Sequence, residues 1–212
     1  MRLTKLGHAC VRLEKDGGVL VIDPGAFSGD HALDGADAVL VTHEHFDHVV
    51  PDALRAALAA NPGLRVWAPA PVTEQFAGFG DRATTVAHGD DFSAAGFGVN
   101  AYGAEHAVIH PDIPTVANVG FLVDGEVFHP GDSYTVPEDP AGTLLLPGSG
   151  PWHSTAQMID YARAVAPRRG FLIHDALLSE IGLSVFDMFA GLAAGPNNAP
   201  YTRLAPGTSV DL

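Results

Sequence analysis

The feature that most constrains this chain is the hexapeptide His43-Glu44-His45-Phe46-Asp47-His48, which places three imidazoles and a metal-type carboxylate within six residues. It directly follows the apolar run Ala38-Val39-Leu40-Val41, which is typical of a buried strand. Imidazole is the commonest nitrogen donor to transition metals, and a carboxylate adds an anionic oxygen. The pattern therefore predicts a metal site at the end of a strand rather than a solvated, histidine-rich turn.

The composition fits one globular domain spanning residues 1–212. Hydrophobic residues make up 47% of the chain and charged residues 17%, which is typical of a protein with a substantial core. The single cysteine, Cys10, excludes an intramolecular disulfide and a cysteine-rich zinc cluster. The single cysteine and the charged N-terminus, which lacks an apolar signal core, together favour a cytoplasmic location. No uncharged run is long enough for a membrane span.

The charge distribution limits the partners of the chain. The formal net charge of −14 disfavours nucleic acids and anionic membrane surfaces. There is no lysine or arginine between Arg82 and Arg163. Because phosphate recognition usually recruits these residues, we expect a small-molecule substrate that is neutral or weakly anionic.

Short apolar runs alternate with a few helical segments along the chain. About ten runs are predicted as strands. The first two, Leu3–Leu13 and Val19–Ile22, are predicted to form a hairpin that turns at Asp16-Gly17-Gly18. Helices are predicted over Asp52–Ala60, Ser154–Val165 and Ala176–Ala190. This pattern indicates paired sheets covered by helices.

Further metal-type residues follow other predicted strands. They are Glu105-His106, Asp132 after Gly131, and His174-Asp175. A pair of metal ions in a hydrolytic site needs several protein ligands, more than the hexapeptide supplies alone. Because these segments share the hexapeptide's position after a strand, we expect them to complete such a site.

The order of these elements closely resembles the metallo-β-lactamase superfamily. The matching elements are Asp23 in VIDPG, the hexapeptide, His106, Asp132 in HPGDS and His174 in FLIHD, which together cover the chain from Asp23 to Asp175. The resemblance implies an α/β fold, a four-layer αββα sandwich of two mixed β-sheets flanked by helices, with the site at one edge.

The resemblance also implies the ligand set. One metal would be bound by His43, His45 and His106, and the second by Asp47, His48 and His174. Asp132 would bridge both metals, and Asp23 would hold a ligand imidazole in its tautomer. The cofactors are then two divalent metal ions, with zinc the default and manganese and iron the alternatives.

Within the superfamily, the opening LTKLGHACVRLE and the IDPG turn resemble the small lactonase-like branch that includes ascorbate-6-phosphate lactonase. True β-lactamases of this fold usually carry a cysteine where Asp132 stands, and they are exported. In the lactonase-like branch the position of His8, in the predicted first strand, faces the active site. His8 is therefore expected either to support a ligand or substrate or to be a hydrogen-bonded core histidine.

Three other features have two interpretations each. His110 lies in the loop from Ala107 to Asn118, a candidate lid, and either touches substrate or does not. Trp152 either forms a wall of the pocket or packs in the core. The tail from Gly191 to Leu212, with prolines and glycines around Asn197-Asn198, is predicted to cover a sheet edge or to form a homo-oligomer contact.

These observations predict a metal-dependent hydrolase. A hydroxide bridging two metals would attack the substrate, and Asp132 with Asp47 would accept its proton and return it to the leaving group. The expected substrate is a small ester, lactone or thioester. The alternatives are a phosphodiesterase acting on a small phosphodiester, a diiron redox protein and a non-catalytic metal-binding protein.

Overall fold

Two seven-stranded mixed sheets form the centre of the computed structural model, which describes residues 1–194 and 199–212. In spatial order the first sheet contains Ser209–Asp211 (β14), Arg2–Gly7 (β1), Cys10–Lys15 (β2), Gly18–Ile22 (β3), Ala38–Leu40 (β4), Arg65–Ala68 (β5) and Ala83–Thr85 (β6). The second contains Tyr201–Thr202 (β13), Arg169–Ile173 (β12), Thr143–Pro147 (β11), Val127–His129 (β10), Gly120–Val123 (β9), Phe97–Tyr102 (β8) and Asp91–Ala94 (β7).

Each sheet changes from antiparallel to parallel pairing along its width. In the first sheet β1, β2 and β3 are antiparallel neighbours, and β3 to β6 are parallel. In the second sheet β7 to β10 are antiparallel, and β10 to β13 are parallel. The parallel strands β4 and β12 therefore each present a carboxyl end at which a functional loop can begin.

The helices cover the outer faces of the two sheets. They are Pro51–Ala60 (α1), Ala70–Thr73 (α2), Thr155–Val165 (α3) and Glu180–Ala193 (α4), with a 3₁₀ segment over Glu74–Arg82. Leu54 and Leu58 of α1 pack with one outer face, and Met158 of α3 and Phe186 of α4 with the other. The predicted four-layer αββα sandwich is confirmed.

Strand alternation divides the core into an inter-sheet layer and two outer layers. In β3, Leu20 and Ile22 belong to the apolar cluster between the sheets, together with Phe121 of the second sheet. Val21 faces the opposite way and packs in the cluster under α1. Because side chains alternate along a strand, one continuous apolar run can serve both layers.

The first predicted hairpin is partly wrong. The chain reverses at His8, so the run Leu3–Leu13 forms two antiparallel strands, β1 and β2, rather than one. Gly7 has a φ of +140° and His8 a φ of +47°, and this turn conformation is what reverses the chain. His8 consequently lies in a turn and not within a strand. The turn predicted at Asp16-Gly17-Gly18 is confirmed between β2 and β3.

The last predicted helix starts later than expected. It begins at Glu180 rather than Ala176 and extends to Ala193 rather than Ala190. Ser179 is its N-cap, and the Ser179 hydroxyl accepts a hydrogen bond from the Gly182 N–H at 3.2 Å. The residues between His174 and Ser179 are therefore free to form a turn beside the predicted site.

The chain contains more strands than the predicted ten, because β1 and β2 are separate and three short strands were missed. These are β7, β13 and β14. The last two lie in the tail and pair with β12 and β1, so the tail supplies an edge strand to each sheet. Asn197 and Asn198 lie outside the described residues. Among the described helices, none has the length and apolarity needed to cross a bilayer.

Candidate metal centre

The seven predicted metal ligands come together at one edge of the sandwich, on loops that follow β4, β8, β10 and β12. They form two groups whose donor atoms lie within 4.8 Å of one another. One group contains His43, His45, His106 and Asp132, and the other contains His8, Asp47, His48 and His174. The division matches the expected one, except for the addition of His8.

Asp132 lies between the two groups. Its Oδ1 is 3.1 Å from His48 Nε2, and its Oδ2 is 3.0 Å from His174 Nε2 and 3.4 Å from His106 Nε2. The turn that presents it is fixed by Asn118, whose Oδ1 accepts the Asp132 N–H at 3.0 Å. Asp132 thus occupies the position expected of a bridging ligand.

Hydrogen bonds set the tautomers of two ligand imidazoles. His48 Nδ1 lies 2.7 Å from Asp23 Oδ2, and His106 Nδ1 lies 2.6 Å from the Ala107 carbonyl oxygen. Both partners can only accept, so in the neutral rings each Nδ1 carries the proton and each Nε2 keeps a lone pair. The two Nε2 atoms face Asp132, at 3.1 Å for His48 and 3.4 Å for His106.

Asp23 also orients His43, through Thr42. The Asp23 carboxylate accepts the Thr42 N–H at 2.8 Å and the Thr42 hydroxyl at 2.7 Å. Because that hydroxyl proton is committed to Asp23, the Thr42 oxygen accepts from His43 Nδ1 at 3.0 Å. Asp23 therefore supports two ligands, His48 directly and His43 indirectly, as metal sites require of their outer groups. The sequence analysis missed Thr42.

The unpaired atoms of the site fit divalent metal ions. Among the described residues, Nε2 of His48, His106 and His174 and Oδ1 of Asp132 are buried without a hydrogen-bond partner. Burying such atoms is costly unless something binds their lone pairs. Nitrogen and carboxylate oxygen together suit zinc, iron or manganese. His45 is half-buried and adds Nδ1, which lies 3.0 Å from His43 Nε2.

The charges within the site favour ionised carboxylates. Burial raises the pKa of Asp132, but His48, His106 and His174 outweigh burial and hold this pKa well below its ordinary value. Burial lowers the pKa of His48, whereas Asp132 and Asp23 raise it further than burial lowers it. Burial, followed by the nearby His48, lowers the pKa of His43 well below its ordinary value. The cluster therefore contains both negative carboxylates and positively charged imidazole, which stabilise one another.

His8 lies close to the second group, but its hydrogen bonds give it a different role. Its Nδ1 accepts the Ala176 N–H at 3.1 Å, so in the neutral ring the proton is on Nε2. That Nε2 lies 3.3 Å from Asp47 Oδ2 and donates to it. His8 therefore has no free lone pair for a metal and instead supports the carboxylate of Asp47.

Trp152 combines both interpretations offered from the sequence. It is buried, yet it lines the cavity over the site, and its Nε1–H donates to Asp132 Oδ2 at 3.0 Å. His110, by contrast, is exposed and accepts the Asp112 N–H within its own loop. It is not among the residues that line the cavity, although Ile109 of the same loop is.

The cavity over the site has a volume of about 290 Å³. Its lining combines the metal-type residues with apolar side chains and contains no lysine or arginine. The lining residues are Phe27, His45, Phe46, Asp47, His106, Ile109, Asp132, Pro151, Trp152, His174 and Leu177. This composition suits an uncharged ligand and offers no counter-ion for a phosphate.

A buried lysine that the sequence analysis overlooked anchors the loop of His174. Lys5 is 1% exposed, donates to the Leu172 carbonyl oxygen at 3.0 Å and forms an ion pair with Asp175. Burial lowers the pKa of Lys5, and Asp175 counteracts it. Lys5 falls on the same alternation as buried Leu3, and a lysine at an inward position was the available clue.

The family comparison agrees with the geometry. The family described as the β-lactamase superfamily domain matches residues 2–172. Among curated proteins, Rv0786c of Mycobacterium tuberculosis is 37% identical over 185 residues, covering 84% of this chain and 86% of that protein. A UPF0173 metal-dependent hydrolase of Aeropyrum pernix is 29% identical over 189 residues, covering 77% of this chain and 76% of that protein.

Solved structures share the fold over nearly the whole chain. Igni18, described as a novel metallo hydrolase from Ignicoccus hospitalis, superposes with a TM-score of 0.73 at 22% identity, covering 99% of this chain and 97% of that one. The metallo-β-lactamase fold protein YhfI of Bacillus subtilis gives a TM-score of 0.72 at 14% identity, covering 99% and 98%. At these identities the likeness concerns the fold.

Proposed function

Because the chain belongs to the β-lactamase superfamily and has the metallo-β-lactamase fold, we propose that it is a hydrolase that cleaves a small ester, lactone or thioester with two divalent metal ions. The observation that carries this proposal is the position of Asp132, whose Oδ1 lies 3.1 Å from His48 Nε2 of one group and whose Oδ2 lies 3.4 Å from His106 Nε2 of the other. Relatives described as metal-dependent hydrolases support the reaction class.

The proposed ligands divide as the two groups do. His43, His45 and His106 would hold one ion, Asp47, His48 and His174 the other, and Asp132 both. Zinc is the metal we propose, with manganese and iron as alternatives, because the set contains imidazole and carboxylate but no thiolate. Bound ions of this kind lower the pKa of water towards neutrality and polarise a carbonyl oxygen.

The carboxylates of Asp47 and Asp132 are proposed to handle the proton. Both line the cavity, and the Asp47 side chain is the more accessible, at 15% exposed against 4% for Asp132. Each carboxylate accepts one hydrogen bond on its Oδ2, Asp132 from Trp152 and Asp47 from His8, so the difference between them is accessibility. Asp47 is therefore the better placed to take a proton from the attacking water and pass it to the leaving group.

The cavity favours a neutral or weakly anionic small molecule over a phosphodiester, because none of the described residues that line it is a lysine or arginine. A carboxylate at Asp132, where the fold's β-lactamases usually carry cysteine, supports placement in the lactonase-like branch. The lone, buried Cys10 is compatible with a reducing cytoplasm, which is the location we propose.

Elemental analysis tests the metal part of the proposal. Wild-type protein should contain about two metal ions per chain after reconstitution, and His48→Ala and Asp132→Ala should each contain fewer. His31→Ala, which removes an exposed histidine that belongs to neither group of predicted ligands, should behave like wild type. Metal content near zero in the wild type after reconstitution with zinc or manganese would contradict the assignment.

A substrate panel tests the bond that is cleaved. Metal-dependent turnover of esters, lactones or thioesters, with weaker turnover of phosphodiesters, is the expected result. The reverse preference would favour the phosphodiesterase alternative. Bound iron with visible absorption and no hydrolysis would favour a diiron redox protein, and bound metal with no turnover of any substrate would favour a non-catalytic metal-binding protein.

A further inference from the structure

Loops of the candidate metal centre also carry apolar side chains to its mouth. Phe27 follows the Asp23 turn, Phe46 lies between His45 and Asp47, and Leu177 follows His174. All three line the cavity, with Ile109 beside His106 and Trp152 against Asp132. These five side chains form an apolar ring beside the ligand cluster. Phe46, Ile109 and Leu177 share loops with predicted ligands, whereas Phe27 lies in the loop after β3 and Trp152 in the loop after β11.

The backbone holds the two phenylalanines together. The Ala26 N–H donates to the Phe46 carbonyl oxygen at 2.9 Å, which ties the loop of Phe27 to the hexapeptide. Gly25 allows this approach, because a Cβ at that position would overlap the backbone of Asp47. As a result the rings of Phe27 and Phe46 meet edge to face, with centroids 5.6 Å apart.

These side chains are exposed although they are large and apolar. Phe27 is 40% exposed, Phe46 65% and Leu177 57%. None of them belongs to the three apolar clusters that form the core of the described chain. Rigidly placed apolar surface that adds nothing to the core, at the rim of a cavity, is typical of a binding site.

We propose that Phe27, Phe46 and Leu177 bind an uncharged alkyl or aryl group of the substrate while its carbonyl lies beside Asp132. The inference rests on the proposed function and specifies its substrate class. A cavity of about 290 Å³ is at the small end for ligand sites, which suits a medium-length acyl chain or a single ring. An anionic tail would meet no lysine or arginine among the described residues of this lining.

Alkyl hydroxamates provide a probe that separates the apolar site from turnover. These compounds bind metal through one constant head group, so the tail length can be varied alone. We would titrate metal-loaded protein with acetyl, butanoyl, hexanoyl and octanoyl hydroxamate by calorimetry. Affinity should rise roughly threefold to fourfold for each methylene that becomes buried, giving at least about a tenfold preference for hexanoyl over acetyl hydroxamate.

Substitutions of Phe27 and Phe46 test whether these side chains cause the preference for longer tails. Phe46→Ala and Phe27→Ala should each reduce the ratio of hexanoyl to acetyl affinity by about fivefold or more, since truncation removes much of the apolar contact. Phe46→Leu should keep most of the ratio. Met188→Ala is the control, because Met188 is 67% exposed but does not line the cavity. Metal content, measured for every variant, shows whether the ligand loop is intact.

The two proposals fail in different ways. Affinity that is independent of tail length in the wild type would overturn the apolar site, even if short esters are hydrolysed. A length preference that survives unchanged in both phenylalanine variants would also overturn it. Conversely, a clear tail preference in a protein that hydrolyses none of the panel would contradict the proposed reaction and leave the apolar site supported.

Discussion

Trp152 donates a hydrogen bond of 3.0 Å from its indole Nε1 to Oδ2 of Asp132, the carboxylate at the centre of the site. The indole is 5% exposed, and its ring also stands edge to face with His106 and His174. Gly150 leaves room for it, because a Cβ there would lie 2.8 Å from the indole nitrogen. Trp152 thus fixes the orientation of the shared carboxylate and forms a wall of the cavity.

Replacing Trp152 with phenylalanine should weaken metal binding while preserving the fold. The substitution keeps a smaller aromatic wall and removes the donor to Asp132. Loss of a group that orients a metal ligand commonly lowers metal affinity or activity by 10- to 100-fold, roughly. Chelator competition measures the affinity. Trp67→Phe, in the core cluster between the sheets, is the control, and equal metal retention in the two variants would contradict the role given to Trp152.

Substitutions of His8 should separate a supporting donor from a metal ligand. The amide of a glutamine would retain an N–H that can reach Asp47. His8→Gln should therefore keep about two metal ions per chain and lose little activity. His8→Ala removes the donor and should lower the affinity for the metal ion that Asp47 is proposed to bind by about tenfold or more. Elemental analysis after dialysis provides the measurement. Loss of one metal in both variants would instead identify His8 as a ligand.

Asp23→Asn should destabilise the protein and disturb His48. The amide keeps one acceptor oxygen but puts an NH₂ group where two donors, the Thr42 hydroxyl and His48 Nδ1, now point. Leaving buried donors unpaired should lower the free energy of unfolding by about 1–3 kcal/mol each. Urea denaturation measures the change. Asp16→Asn is the matched control, because Asp16 and Asp23 both have a φ of +52° but Asp16 lies in an exposed turn.

Cys10 should make stability fall at alkaline pH. Burial, with Asp23 contributing, raises the pKa of the Cys10 thiol above its ordinary value of 9.0. Above pH 9 the unfolded chain therefore loses a proton that the folded chain keeps. The free energy of unfolding should then decrease by roughly 1 kcal/mol per pH unit from this group. Unfolding of wild type and Cys10→Ala from pH 8 to 10.5 should show the extra slope in wild type alone.

The sequence indicated which residues come together, because the predicted ligands lie in loops that follow strands. His43, His106 and His174 lie far apart in the chain, yet parallel strand ends and common loop positions bring them to one edge. The order of the motifs then implied the division into two groups. Local pattern was sufficient here because the chemistry depends on residues at defined points of regular elements.

The features that the sequence did not reveal depend on long-range contacts. The bond from Trp152 to Asp132 and the pairing of Lys5 with Asp175 each join distant segments. Strands β13 and β14 contain two and three residues and form only because an existing sheet edge accepts them. The reversal at His8 was hidden because residues on both sides of it have strand-like composition.

The apolar ring at the mouth has a consequence for how such a protein can change over generations. Phe27, Phe46 and Leu177 lie outside the apolar clusters of the core, so other residues at these positions would leave the packing intact. The predicted ligands behind them are held by buried hydrogen bonds, so substitution there would leave buried polar groups unpaired. With the proposed substrate contacts, substitutions at the mouth would change which molecules are accepted and leave the proposed metal centre unchanged.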